Sequence, residues 1–197
     1  MNQSDLFSYL SAFVTIVLAV ALGDMIQSTH RLIRARRRVK WDVLPLIFAA
    51  TVALALVSEF FSLWDGFAVT KVSFWRLIWM LTPPTLLALL AYSALPDEVP
   101  EKGLDLTKFY DEERRTWVII FGLAYVLDIV RSFDLIAHNR DWAIQYAGYL
   151  AWRVPILVIA LTIIWIGRSR RWNVAGVVLL TAIMVYGLSI WTISARS

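Results

Sequence analysis

Six long apolar stretches, separated by short polar connections, occupy almost the whole chain. Each is close to the roughly 20 residues that an α-helix needs to cross about 30 Å of hydrocarbon. A bilayer core offers no water to the backbone, so each segment must satisfy its own polar groups, and a helix does this. The pattern predicts an all-α, polytopic transmembrane bundle of six helices, formed as a single domain over residues 1–197. The predicted spans are Leu6–Gln27, Val43–Trp64, Phe74–Leu95, Thr116–Ala137, Ala143–Gly167 and Asn173–Ile193.

Composition agrees with lipid, rather than water, as the surroundings of these helices. The chain is 59% hydrophobic, with a mean hydropathy of +0.65. A helix of a soluble protein keeps a polar face at helical spacing. The segment 154–167 contains no ionisable residue at all. Such a segment has no face for water.

The positive charges are concentrated in alternate connections. The first, third and fifth connections carry six, four and three Lys and Arg residues, thirteen of the nineteen in the chain. The even connections hold few, such as Lys71 and Arg140. Cytoplasmic loops carry the excess of Lys and Arg, so both termini are predicted to be extracytoplasmic. The first five residues contain no Lys or Arg, so we expect the first helix to be retained and not cleaved as a signal peptide.

Several functional classes are disfavoured. The net charge of +4 reflects orientation signals, so it does not indicate a nucleic-acid partner. Cysteine is absent, and His30 and His138 fall in loops or at helix ends, so we expect no metal and no cofactor. The sequence contains no recognisable nucleophile–base pair and no glycine-rich phosphate loop. We therefore expect no enzymatic activity.

Prolines interrupt two of the predicted spans. Pro83 and Pro84 are adjacent in the third helix, and Pro155 lies in the fifth. Each removes a backbone donor and crowds the preceding turn, so we expect kinks at these positions. The double proline has two interpretations. It could be a kink that serves packing, or a broken helix whose free carbonyl groups bind ions, as in transporters.

Aromatic residues mark many of the predicted boundaries. Tryptophan stands at positions 41, 64, 75, 117, 142, 172 and 191. This placement is typical of the aromatic belt at a membrane interface, although some of these rings could fill helix contacts instead. In the third connection, Phe109 and Tyr110 follow Leu106 at helical spacing, which favours a short interfacial helix.

Ionisable residues inside the hydrocarbon are the strongest candidates for a site. A charge there costs at least ~2.5–3.5 kcal/mol, so it needs a partner or a function. At ~1.5 Å per residue, Asp128 on the fourth helix lies about 17 Å deep and Arg153 on the fifth about 15 Å deep. We therefore predict that Asp128 and Arg153 pair, or share a network with Tyr125 and Tyr149.

Further charges lie in the outer half of the predicted bundle. Arg131 is placed to meet Glu59, and Arg76 is placed to meet Asp134. The complete set has three acidic and three basic members: Glu59, Arg76, Asp128, Arg131, Asp134 and Arg153. A balanced set is compatible with structural ion pairs that fix helix register. It is also compatible with a wet cavity that binds a small polar solute or relays protons.

Several segments resemble a group of uncharacterised bacterial multi-helix membrane proteins. The matching features are Leu22-Gly23, the run Arg31–Val39, Trp41, Leu95-Pro96-Asp97 and the lead-in Asp105–Trp117, which together span most of the chain. Asp24 departs from the apolar or hydroxyl residue expected at its position. The resemblance implies location in the bacterial inner membrane and no particular activity.

Two functions remain open from sequence. The first is an oligomeric channel or transporter for a small solute or ion. The second is a non-catalytic sensor or docking subunit, whose intramembrane charges are structural. Its partners would be membrane lipid and either further copies of the chain or another membrane protein; the basic first connection could hold a partner or anionic lipid.

Overall fold

The computed structural model describes residues 3–65, 74–136 and 140–189, which fold almost entirely into α-helices. The helices are α1 (Gln3–Arg34), α2 (Val43–Asp65), α3 (Phe74–Ala94), α4 (Leu106–Ile136), α5 (Arg140–Ile166) and α6 (Arg170–Ser189). A three-residue 3-10 turn, Arg36–Arg38, follows α1. Two short strands, β1 (Val39–Lys40) and β2 (Leu104–Asp105), form a parallel pair. The all-α class predicted from sequence is confirmed.

Two of the helices extend well beyond their predicted spans. Helix α1 continues from Gln27 to Arg34, and α4 begins at Leu106, ten residues before Thr116. The segment predicted as a separate interfacial helix is therefore the first part of one continuous helix. Residue 137 and residues 190–193, which end the predicted fourth and sixth spans, lie outside the described residues.

Five of these helices contain stretches long and apolar enough to cross a membrane. They are Ser11–Arg34, Val43–Ser62, Leu77–Ala94, Tyr146–Ile166 and Arg170–Ser189. Their outer faces carry large apolar side chains, such as Ile16, which is 63% exposed, and Val158, which is 55% exposed. Exposed apolar surface on this scale is unfavourable in water and ordinary in lipid. This surface is typical of a membrane protein.

Helix α2 lies at the centre of the bundle, where it contacts α1, α3, α4 and α6. Phe48, Val52 and Leu56 recur along it at helical spacing, and all three are fully buried. The hydroxyl oxygens of Thr51 and Thr181 are 2.6 Å apart and join α2 to α6. Each hydroxyl also lies within hydrogen-bond distance of the backbone carbonyl four residues before it. Since each hydroxyl has one proton, one of them donates to the other, which donates to its own carbonyl, and neither oxygen is left without a partner.

Helices α5 and α6 approach closely because Gly176 has no side chain. A Cβ atom at this position would lie 2.8 Å from the side chain of Ile164 and 3.1 Å from the carbonyl oxygen of Ala160. Small residues at a helix contact allow backbones in a membrane to pack at short range. The same contact surface continues along α6 to the buried Gly187.

The three basic connections meet at one end of the bundle. Val39 pairs with Leu104 and Lys40 pairs with Asp105 in the small sheet, which joins the first connection to the third. Gly103 leads into β2 with a φ of 92°, a left-handed conformation that favours glycine. The fifth connection joins them through Arg170, described below. We call the region formed by residues 35–42, 95–105 and 167–169 the basic end.

Helices α3 and α5 run without a break through their prolines. Helix α3 is continuous over Phe74–Ala94 with Pro83 and Pro84 inside it, and α5 is continuous over Arg140–Ile166 with Pro155 inside it. The described backbone of α3 therefore contains no unwound segment that would present a set of carbonyl groups to an ion. The kinks themselves stay predictions.

Candidate functional site

Arg153 is the buried charge at the centre of the candidate site. Its side chain lies between α4, α5 and α6, and the residue is 8% exposed. The guanidinium carbon is 5.5 Å from the ring centroid of Tyr125 and 4.9 Å from that of Tyr149. Cation–π contacts of this kind stabilise a desolvated guanidinium by about 2 kcal/mol. The structure thus brings together three of the residues singled out from sequence.

The hydrogen-bonding capacity of Arg153 is only partly used. Its Nη2 atom donates to the thioether of Met184 at 3.8 Å, and a thioether is a weak acceptor. Its Nε atom is buried and has no hydrogen-bond partner in the part of the chain that the structure describes. A guanidinium carries five N–H donors, so this side chain retains the capacity to bind an acceptor.

A small space beside Gly187 borders the same guanidinium. A Cβ atom built on Gly187 would lie 3.6 Å from Nη1 of Arg153, 3.7 Å from the hydroxyl oxygen of Tyr149 and 3.8 Å from Cζ of Arg153. These are ordinary van der Waals distances, so a methyl group bonded to the Gly187 Cα would fit here without a clash. We call this space the Gly187 notch. Sequence reasoning missed Gly187 and Met184, because nothing in the local pattern of α6 points to α5.

Aromatic rings brace the tyrosine side of the site. The ring of Tyr149 lies edge-on to Trp152 at 5.7 Å, and Trp152 lies edge-on to Tyr186 at 5.2 Å. Edge-to-face packing at these distances is favourable and directional. The position of the Tyr149 hydroxyl beside the notch is therefore held by ring contacts on α5 and α6.

The acidic members of the predicted network have different positions. Asp128 is half-buried on α4, three residues after Tyr125, whose ring lies against the guanidinium of Arg153. Glu59 is buried on α2. Both residues take part in interactions within the protein. A direct ion pair between Asp128 and Arg153 stays a prediction.

Three predicted members of the network cannot be placed at the level of side chains. Arg76, Arg131 and Asp134 belong to α3 and α4, but their side chains lie outside the described residues. The pairs predicted for them, with Glu59 and with each other, stay predictions. Lys71 and His138 also fall outside the described residues.

A second polar cluster, at the basic end, caps the C-terminus of α5. Nη1 of Arg114 donates to the carbonyl oxygen of Gly167 at 2.5 Å, to that of Ile164 at 3.3 Å and to the side-chain oxygen of Asn173 at 3.1 Å. The last carbonyl groups of a helix lack partners within the helix, and a cation there also interacts favourably with the helix dipole. Arg114 therefore fixes α4 against the end of α5 and the start of α6.

Asn173 takes part in the same capping of α5. Its amide nitrogen donates to the carbonyl oxygens of Gly167 at 3.0 Å and Ser169 at 3.2 Å. The hydroxyl of Tyr110 donates to its side-chain oxygen at 3.3 Å. Burial raises the pKa of the Tyr110 phenol well above its usual range, so the hydroxyl keeps its proton. The connection between α5 and α6 is thus held by hydrogen bonds from the side chains of Arg114, Asn173 and Tyr110.

Ion pairs tie the other connections of the basic end together. The buried carboxylate of Asp42 accepts the backbone N–H of Leu44 at 2.8 Å and forms an ion pair with Arg170 at the start of α6. Lys40 and Asp105 pair across the small sheet at 2.8 Å. The hydrogen bond from Lys40 lowers the pKa of the Asp105 carboxyl, and so do the backbone N–H groups at the start of α4. All three basic connections are therefore linked by side chains.

Trp117 lies in the core and not in an aromatic belt. It is fully buried and stacks on Phe48 at 4.4 Å, with Phe109 and Tyr110 both edge-on at 5.8 Å. Its indole N–H donates to the carbonyl oxygen of Ser93 at 3.1 Å. The belt interpretation is therefore wrong for Trp117. Trp41, Trp75 and Trp172 are exposed, as a belt requires.

The described residues contain no group of three or more His, Asp or Glu side chains arranged to hold a metal ion. No family model, no curated protein and no solved structure matches this chain.

Proposed function

We propose that this chain is a bacterial inner-membrane protein with six transmembrane helices and extracytoplasmic termini, and that it acts as a channel or transporter for a small polar solute. In this proposal it works as a homo-oligomer or with a partner membrane protein. The solute is held at the charged centre in the outer half of the bundle. The observation that supports this proposal most directly is the burial of Arg153, a cation whose hydrogen-bond donors are only partly used.

The sixth span in this proposal is α4. Large apolar side chains recur on its outer surface at helical spacing: Ile119, Leu123, Val126 and Val130 are all more than 40% exposed. Its inward surface carries Phe121 and Ala124, which are buried. A helix with an apolar outer face and a buried inner face fits a bundle in lipid. Asp128 and Arg153 then lie inside that bundle, where charges are functional candidates.

Orientation is testable because the chain contains no cysteine. We expect a thiol introduced by Lys102→Cys, in the basic end, to react with an impermeant maleimide only after cells are opened. The matched variant Lys71→Cys, in the second connection, is expected to react on spheroplasts with the inner membrane intact. The expectation follows from the excess of Lys and Arg in the odd connections. Labelling of Lys102→Cys in intact spheroplasts would reverse the proposed topology.

Passage of solute is tested in proteoliposomes by light scattering after transfer into isosmotic urea, glycerol or potassium acetate. We expect at least one solute to enter faster than into empty liposomes. We expect Arg153→Met to slow that entry at least tenfold, because it removes the charge while keeping a long side chain. Arg115→Met, on the exposed surface of α4, is the matched control and is expected to keep the wild-type rate.

Two results would count against the proposal. If Arg153→Met stays monodisperse in detergent and transports at the wild-type rate, the charged centre does not serve passage. If the wild-type protein passes none of these solutes, a non-catalytic sensor or docking subunit becomes the better proposal. One observation favours that second candidate: Arg36, Arg37 and Arg38 form an exposed turn on the basic end, open to an acidic partner or anionic lipid.

A further inference from the structure

We propose that a surface cleft at the start of α6 binds the headgroup of an anionic phospholipid. The cleft has a volume of about 750 Å³ and is lined by Ser169, Arg170, Arg171, Trp172 and Ala175. Ligand pockets of this size hold small organic molecules, so a whole headgroup fits. The cleft borders the basic end, on a helix that is long and apolar enough to cross a membrane. Binding here does not depend on whether the charged centre passes a solute.

The cleft carries positive charge that is only partly neutralised. Arg170 forms an ion pair with Asp42, which holds its guanidinium in place and leaves the arginine side chain 45% exposed. The carboxylate of Asp42 is itself buried, and among the described residues no acidic side chain lines the cleft. Arg171 is exposed and forms no ion pair within the part of the chain that the structure describes. The cleft therefore favours an anion, and guanidinium groups pair well with phosphate oxygens.

An apolar face of α6 continues from the cleft along the membrane-spanning part of the helix. Below Arg171 this face contains Ala175, Val178 and Ala182, which recur at helical spacing and are all exposed. Val174, beside them, is 40% exposed. The surface thus has a cationic end and an apolar continuation, as the headgroup and acyl chains of an anionic lipid require. A soluble anion would contact only the cationic end.

Trp172 also favours a lipid over an acidic polypeptide. Its ring is 61% exposed and lines the cleft between the cationic and the apolar parts of the surface. Tryptophan is enriched at the membrane interface, where the ring lies at the level of the headgroups. The indole N–H is a donor that can reach a phosphate or ester oxygen at that level. An acidic polypeptide could pair with the arginines, but it would leave the apolar face of α6 uncovered.

The test measures which lipid contacts a single fluorophore on α6. The chain contains no cysteine, so Val178→Cys can be labelled alone with bimane, one turn below the cleft residue Ala175. The labelled full-length protein is reconstituted into vesicles of phosphatidylglycerol and phosphatidylcholine, and quenching by a doxyl-labelled form of either lipid gives their relative occupancy. We expect a preference for phosphatidylglycerol of about fivefold, since each basic residue near an anionic lipid surface is worth ~1 kcal/mol.

Two matched comparisons separate the cleft from the general charge of the basic end. Thr85→Cys places the label at an exposed position of α3, nine residues before that helix ends at the basic end, and we expect no preference there. In the Val178→Cys protein, Arg171→Gln is expected to lower the preference about fivefold, because it removes the unpaired charge of the cleft. Arg37→Gln removes another exposed charge from the 3-10 turn and is expected to leave the preference unchanged.

Three results would overturn the lipid site. The first is equal quenching of labelled Val178→Cys by the two lipids. The second is an equal preference at Thr85→Cys, or an equal loss in Arg37→Gln and Arg171→Gln, because the attraction would then belong to the whole basic surface. The third is displacement of phosphatidylglycerol from the label by soluble polyglutamate at constant ionic strength, which would favour an acidic polypeptide as the partner. If Val178→Cys does not reconstitute, Val174→Cys, one turn nearer to the start of α6, replaces it in every comparison.

Discussion

Replacement of Trp117 by alanine is expected to lower the free energy of unfolding by about 3–5 kcal/mol, the range typical of a fully buried tryptophan. The indole stacks on Phe48 of α2 and contacts two further aromatic rings of its own helix. Its N–H also satisfies the carbonyl oxygen of Ser93 near the end of α3. One side chain therefore joins three helices, and its removal leaves a cavity as well as an unsatisfied acceptor.

The measurement is reversible unfolding in mixed detergent micelles, followed by circular dichroism. Trp172→Ala is the matched control, because this residue is 61% exposed, and we expect its stability to change by less than about 0.5 kcal/mol, as for surface positions. Trp117→Phe should give an intermediate loss, since it keeps ring packing but removes the N–H donor. Equal stability of Trp117→Ala and Trp172→Ala would show that the indole at 117 lies at the lipid surface and not in the core.

The outcome for Trp117 illustrates what the sequence can predict about this fold. Apolar length predicted the ends of α2 and α3 to within one residue, because hydrocarbon thickness sets that length directly, but it missed the polar extensions of α1 and α4. It could not tell a tryptophan at the interface from one in the core. Trp117 and Trp172 both stand at predicted boundaries, and both environments accept an indole whose N–H finds a partner. Only the tertiary contacts, made with residues far away in sequence, separate them.

The candidate site could be predicted only in part from the sequence, for a similar reason. The rise of a helix places Arg153 at the depth of the middle of α4, and the structure brings it against Tyr125 as well as Tyr149. The roles of Gly187 and Met184 depend on how α6 is rotated about its axis. Its pattern of apolar residues does not define that rotation, because lipid and protein neighbours both accept apolar side chains. A glycine that borders a cation is therefore invisible before the helices are packed.

The basic end shows a second limit of charge patterns. From sequence, the Arg and Lys residues of the odd connections are explained chiefly as orientation signals, with a partner or anionic lipid at the first connection as the alternative. The structure divides them into two kinds. Arg36, Arg37 and Arg38 are exposed, whereas Arg114 bonds to carbonyl groups some fifty residues later in the chain. A positively charged residue that orients one helix in the membrane can also cap the C-terminus of another helix. Composition cannot distinguish these two roles.

Two neighbouring arginines on α4, Arg114 and Arg115, allow these two roles to be distinguished by experiment. We expect Arg114→Ala to lower the free energy of unfolding by about 3 kcal/mol, since hydrogen bonds from a charged group are each worth roughly 1.5–3 kcal/mol. It would leave the carbonyl oxygen of Gly167 with the Asn173 amide as its donor.

The matched control is Arg115→Ala, which removes the same side chain one residue later. Arg115 is exposed and contacts the ring of Trp165 at 5.8 Å, so we expect a loss of about 0.5–1 kcal/mol from that cation–π contact. Hydrogen exchange should localise the effect of Arg114→Ala. We expect amides at the end of α5 and the start of α6 to exchange faster than in the wild type in Arg114→Ala, and at the wild-type rate in Arg115→Ala. Equal losses for the two variants would mean that Arg114 acts only through its charge. The connection between α5 and α6 would then be held in place by the hydrogen bonds of Asn173 and Tyr110.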